Sequence, residues 1–280
     1  MNAIEIRELS KSYKDFNLEH LNLTLPGGCI MGLVGENGAG KSTTIKLILN
    51  MIHRDGGSIS ILGRDNVTEM QSLKEEIGVV LDEVGFPECL NSKQVSHIMA
   101  LSFKNWDAEY FETLCEKLGV PDQKKFGEYS KGMKMKIGIA AAMSHHPKLL
   151  ILDEATSGLD PVVRDDVLDL LNDFTRDEDH AVLVSSHIVS DLEKICDYIA
   201  FMHQGCLVLC EEKDRLSELY GLIRCTKAQL EELDACAVIG KRQSPYGVEA
   251  VVRRDALPAG MEAGPVDLEA LFVMMVRGRV

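Results

Sequence analysis

Apolar and polar positions alternate over residues 3–9 and 18–25, which predicts two half-buried strands, and the continuous run 29–34 predicts a strand covered on both faces. After residue 40 the spacing turns helical (Ile45, Leu47, Ile48, Leu49, Met51) until Asp55-Gly56-Gly57 breaks it. Strand character returns at 58–62 and 77–81, separated by Ser72-Leu73-Lys74-Glu75, which reads as a capping box. From about 85 to 145 the pattern is mostly helical, with Val95, Ile98 and Met99 and then Phe111, Leu114, Cys115 and Leu118 in step.

Apolar strands follow at 149–153 and 181–186, around a helix at 162–174 whose stripe is Val163, Val167, Leu170, Leu171 and Phe174. Residues 197–210 read as strand, Gln-Gly turn and strand, and 212–219 as a helix. Strands that alternate with crossover helices imply an α/β fold with a mostly parallel sheet, here carrying a helical insertion. Beyond 220 a shorter α/β stretch ends in an apolar-striped helix at 266–276.

The bulk numbers change this picture little. The chain has 280 residues, 45% hydrophobic and 26% charged, enough for a large core. Its net charge of −14 disfavours broad binding to nucleic acid or to anionic lipid. No apolar run approaches the roughly 20 residues of a membrane span, and the N-terminal residues lack the regions of a signal peptide, so a cytosolic protein is expected. The eight cysteines show no CxxC pair and are expected to be buried, reduced thiols.

Residues 35–43, GENGAGKST, fit G-x-x-x-x-G-K-[ST] between a buried strand and a helix. In such a loop the backbone of Gly35, Asn37, Gly38, Ala39, Gly40 and Thr43 can wrap phosphate oxygens, Lys41 reaches the β- and γ-phosphates, and the Ser42 hydroxyl can ligate Mg²⁺. LLILDEATSGLD, 149–160, brings Asp153 to the carboxyl edge of the sheet beside such a metal, with Glu154 placed to polarise an attacking water. His187, closing the strand 181–186, either hydrogen-bonds a γ-phosphate or is a solvated turn residue. His145 and His146 read as turn residues before Pro147.

GENGAGKST, YSKGM, LLILDE, SGLD and SSH, in this order, resemble the ATPase subunits of ABC transporters over about residues 1–220. The resemblance implies a P-loop NTPase fold of the ABC ATPase kind: a core sheet, an antiparallel β subdomain, a helical subdomain at about 85–145, and a C-terminal α/β extension at 221–280. It also implies that Ser130 and Gly132 bind the nucleotide of a second subunit, so that ATP and Mg²⁺ are sandwiched in a homodimer or a heterodimer with a paralogue. Tyr13 matches the residue that stacks on adenine, and Asp160 the aspartate that couples the two sites. Where the family has glutamine after the strand 77–81, this chain has Asp82, or Glu83 if the register slips.

With Ala155 for the family's usual proline and Ser-Lys-Gly-Met for its Ser-Gly-Gly-Gln, and with the Asn-Trp-Asp at 105–107, the chain resembles bacterial ABC-2-type exporters with separate ATPase and membrane chains. The expected function is ATP hydrolysis powering transport, export rather than import, through a separate membrane permease received mostly by the helical insertion. That places the protein peripherally on the inner face of the membrane, with no nucleic-acid partner. A soluble ABC ATPase outside transport, and an ATP-holding regulatory module with little turnover, are the alternatives. The extension either covers a sheet edge or serves regulation or dimer stability.

Overall fold

The structure, a computed structural model, describes residues 1–156, 158–244, 247–258 and 260–278. In chain order its elements are β1 (Asn2–Ser12), β2 (Asn17–Pro26), β3 (Ile30–Gly35), α1 (Lys41–Ile48), β4 (Gly56–Ile61), β5 (Arg64–Asp65), α2 (Met70–Leu73) and β6 (Ile77–Val80). There follow α3 (Ser92–Ser102), α4 (Ala108–Lys117), α5 (Lys131–Met143), β7 (Leu149–Asp153), α6 (Pro161–Phe174), β8 (Ala181–Ser186), α7 (Val189–Ile195), β9 (Tyr198–His203) and β10 (Cys206–Glu212). The chain closes with α8 (Lys213–Leu219), β11 (Tyr220–Cys225), α9 (Lys227–Glu231), β12 (Val238–Ser244), β13 (Gly247–Arg253) and α10 (Leu268–Arg277).

The central sheet runs β10-β9-β3-β8-β7-β6 and is parallel except for the β9–β10 hairpin. Every residue of β3, β7 and β8 is buried, as their unbroken apolar runs require when both faces are covered. The hairpin turns on Gln204 and Gly205, both at positive φ (46° and 79°), the backbone that two-residue hairpin loops demand. A second, antiparallel sheet, β2-β1-β4-β5, forms a separate layer whose inward residues Ile4, Ile6, Leu21, Leu23 and Ile59 join the cluster that covers one face of the core strands.

The other face meets a cluster built from α4, α5, α6 and α7, including Phe111, Leu114, Ile137, Val167 and Leu171. After α8 the strands β11, β13 and β12 pair in that order as an antiparallel sheet with its own small cluster around Ile223, Val248, Ala250 and Val252. Yet α10 returns to the main body: Leu268, Leu271, Met274 and Met275 join the same cluster as Ile195 and Ile199, and the rings of Phe272 and Phe201 stand 5.1 Å apart. Burying four such side chains stabilises the contact by several kcal/mol, at roughly 1.5–3 kcal/mol each. α10 thus packs in the cluster under β9, an inner strand of the sheet, and not along the sheet's edge.

Four local expectations need correction. Ser72 caps nothing; it lies inside α2, and its hydroxyl donates to the Glu69 carbonyl, a local bond available without a helix start. The helix after residue 40 ends at Ile48, since Asn50 turns left-handed at φ 51°, and Met51 is exposed. Helix does not begin at 85 but at Ser92, where Asn91 and Gln94 form the reciprocal cap that the sequence does contain. All eight cysteines are free thiols, but only Cys115 and Cys196 are buried; Cys89, Cys206 and Cys236 are exposed.

Candidate active site

The loop between β3 and α1 turns at Gly38 (φ 83°) and Gly40 (φ 110°), conformations that L side chains avoid. A Cβ on Gly40 would lie 3.0 Å from the Phe16 ring, and one on Gly35 2.7 Å from the Met202 carbonyl, so neighbouring elements press the loop into its course. α1 then opens without a side-chain cap and without an acidic residue in its first turn. Its first amides have no intrahelical acceptor, and the positive end of the helix dipole adds to them. The result is a cradle for an anion.

Lys41, only 5% exposed, lies inside that cradle. Its Nζ donates to the carbonyls of Gly35 at 2.7 Å and Glu36 at 3.3 Å, and stands 3.4 Å from Glu154 Oε1. The cleft above holds about 500 Å³ and is lined by Phe16, the loop residues 36–43, Asp82 and Glu154 among others. A larger cleft, about 1080 Å³, opens between α4 and α6 around Tyr110 and Phe174 and contains none of the motif residues. Volume alone therefore does not mark the chemistry.

Parallel pairing sets the carboxylates. Asp153, the last residue of β7, faces Ser185 of β8, whose hydroxyl donates to Asp153 Oδ1 at 2.5 Å. Glu154 leaves the strand with its N–H held by both the carbonyl and the hydroxyl of Ser185, each at 3.1 Å, and with φ at 54°. That left-handed backbone turns the side chain toward Lys41, while His187 Nδ1 sits 2.6 Å from its other oxygen. Glu154 is thus fixed at both oxygens at the mouth of the anion cradle, where a carboxylate can take a proton from a water. The Ser42 hydroxyl and the carboxylates of Asp153 and Asp82 are hard oxygen donors of the kind magnesium takes. Among the described residues no group of three His, Cys, Asp or Glu is placed to hold a metal ion by itself.

The remaining predicted residues lie elsewhere. Ser130 is exposed and caps α5, its hydroxyl accepting from the Met133 N–H at 3.2 Å; neither it nor Gly132 lines the cleft around Lys41. A Cβ on Gly132 would lie 3.3 Å from the Gly158 carbonyl, so the α5 start packs on the SGLD segment, of which Ser157 falls outside the described residues. Asp160 caps α6, accepting from the Val163 N–H at 3.1 Å, with Pro161 at the first helical position. Tyr13 is exposed and 5.5 Å from Lys11 Nζ, and it is Phe16, three residues on, that lines the cleft. Of the two acidic candidates after β6, Asp82 lines the cleft and Glu83 does not.

Two residues at the site escaped the sequence reading. Phe16 carried a signal, being the second aromatic of SYKDF. Ser185 carried none, because its role depends on β7–β8 register. Lys131 belongs to the Ser-Lys-Gly-Met loop already read from the sequence, but its contact with Asp82, Nζ donating to Oδ1 at 3.0 Å, carried no signal for the same kind of reason.

Residues 18–157 match the family model described as ABC transporter. The bacitracin transport ATP-binding protein BcrA of Enterococcus faecalis is 34% identical over 221 residues, covering 78% of this chain and 71% of that protein. The ABC transporter ATP-binding protein YtrB of Bacillus subtilis is 33% identical over 290 aligned residues, covering 99% of both. Among solved structures, an ATP-binding subunit of an ABC transporter superposes with a TM-score of 0.69 at 28% identity, covering 76% of this chain and 91% of its own. A dimeric ATP-binding cassette in a post-hydrolysis state with ADP and Pi also gives 0.69, at 18% identity over 75% of this chain and 98% of its own, a likeness of fold.

Proposed function

This chain belongs to the ATP-binding subunits of ABC transporters, and on that premise we propose that it hydrolyses ATP to drive export through a separate membrane permease, by closure of a head-to-tail dimer. The observation that carries the reading is the fixed carboxylate: Glu154, held between Lys41 and His187 at the mouth of an anion cradle. The backbone of 35–43 and Lys41 bind the β- and γ-phosphates. Glu154 takes the proton of the attacking water, and His187 orients Glu154 and reaches the γ-phosphate. Ser42, Asp153 and Asp82 hold magnesium, which when bound offsets charge on the phosphates.

The placement of the signature residues supports a dimer. Ser130 and Gly132 begin a helix whose free amides lie outside the chain's own cleft, so they are available to a nucleotide carried by a partner. Asp160 at the neighbouring helix start lies on the segment packed against them. Tyr13 and Phe16 together offer the base an aromatic wall, their ring centroids 6.4 Å apart. No helix among the described residues is long and apolar enough to cross a membrane.

Steady-state phosphate release from the purified chain, with Lys41→Ala as control, tests the reading. Turnover that depends on Lys41 and that falls when Ser130 is replaced supports it. Binding of ATP with no phosphate release, alone or with the membrane fraction, would instead make the chain a regulatory module.

A further inference from the structure

Asp82 belongs to two places at once. It lines the cleft that contains Lys41, Ser42 and Glu154, and it lines a neighbouring groove of about 380 Å³ with Glu83, Tyr129, Lys131 and Lys134. In that groove Lys131 Nζ donates to Asp82 Oδ1 at 3.0 Å, with both side chains more than half exposed. Lys134, the other cation there, lies over the Phe126 ring at 4.9 Å instead.

Lys131 is the first residue of α5, a helix of 13 residues with no acid in its first turn. A cation at that end opposes the helix dipole, and a nearby anion offsets it. Asp82 supplies that anion within the chain. The two residues are 49 positions apart in sequence, and the fold alone brings them together.

We propose that Asp82 and Lys131 form an exchangeable ion pair through which the signature loop senses the filling of its own chain's cleft. The inference rests on the nucleotide-site reading given above. While the cleft is free, Asp82 neutralises Lys131 and stands where an incoming phosphate would compensate the helix end. When Mg-nucleotide enters beside Ser42, Asp82 turns to it, and Lys131 is left without its carboxylate. Its charge then favours the anionic nucleotide that a second copy presents to Ser130. Each half-site thus becomes attractive to its partner only after it has loaded.

The pair is exposed, and such pairs shift an equilibrium by at most about fivefold. The test measures binding of a non-hydrolysable ATP analogue to the full chain, diluted until monomeric, with magnesium and with EDTA. Lys131→Met should tighten the magnesium-dependent affinity by about two- to fivefold, leave the EDTA value unchanged, and have no effect when Asp82→Asn is also present. In a Glu154→Gln background the same Lys131→Met should act in the opposite direction, raising the protein concentration needed for ATP-driven dimers. A purely structural lysine would not produce opposite signs in the two assays.

If Lys131→Met matches the unsubstituted chain, or its effect persists with Asp82→Asn, the exchange is overturned while Lys41-dependent binding stands. If Lys41→Ala binds as tightly as the unsubstituted chain, the nucleotide-site reading falls and the exchange with it.

Discussion

His187 Nδ1 and Glu154 Oε2 stand 2.6 Å apart across 33 residues of sequence, while the second Glu154 oxygen is 3.4 Å from Lys41. Both contacts fix where the carboxylate points, and neither needs its charge to bind phosphate. Glu154→Gln should therefore lower phosphate release by about 10²- to 10⁴-fold and leave nucleotide affinity nearly unchanged. Single-turnover phosphate assays beside a binding titration check this; retained turnover would remove Glu154 as the base.

Ser185 touches both carboxylate positions, donating to Asp153 and accepting from the Glu154 N–H. It acts through them, as a positioning residue. Ser185→Ala should weaken magnesium-dependent nucleotide binding by about 10- to 100-fold, the usual cost of losing the group that orients a metal ligand. Binding in EDTA should not change, and an equal loss in both conditions would mean that the substitution disturbs the phosphate loop instead.

His145 gives a pH signature away from the site. Its ring stacks on Phe103 with centroids 4.1 Å apart, Nε2 lies 3.2 Å from the Ile77 carbonyl, and Nδ1 has no hydrogen-bond partner among the described residues. Burial holds the imidazole below its ordinary value of 6.5 despite the carbonyl contact. A folded-state value below the unfolded one means that stability is present above about pH 6.5 and is lost as pH falls toward the folded value, because the unfolded chain takes up the proton first. Urea midpoints should therefore decline below that pH, and more steeply than in His145→Gln, which keeps a donor for Ile77 but does not titrate.

Leu271, 1% exposed on α10, packs in the cluster that covers the central sheet. Leu271→Ala should destabilise the whole chain by about 2–5 kcal/mol, with one cooperative transition. A separate early transition confined to residues 221–278 would show that the extension is an independent unit.

The parts legible in the sequence are those fixed by local rules. The unbroken apolar run of β3, its glycine loop and the helix after it name themselves, because a strand buried on both faces and a loop needing positive φ at Gly38 and Gly40 leave few residue choices. The Asp153–Glu154 pair was readable for the same reason. What was not readable depends on chain segments meeting from afar. The Asp82–Lys131 contact spans 49 residues, and Phe16 reaches Gly40 only because the β1–β2 turn folds over the loop. Ser72 misled because a Ser-x-x-Glu spelling says nothing about whether the preceding residues are already helical. The docking of α10 on Phe201 was hidden too, since an apolar stripe announces that it will be covered and not by what.

Glu154 keeps its carboxylate in place with a left-handed backbone that disfavours a glutamate relative to glycine by about 1–2 kcal/mol. Natural or laboratory searches for heat resistance would be drawn to glycine at that position, relaxing the chain as they erase its proposed proton acceptor. Sturdiness and turnover therefore pull in opposite directions at this one amino acid, and a library ranked on melting alone would retain inert variants there.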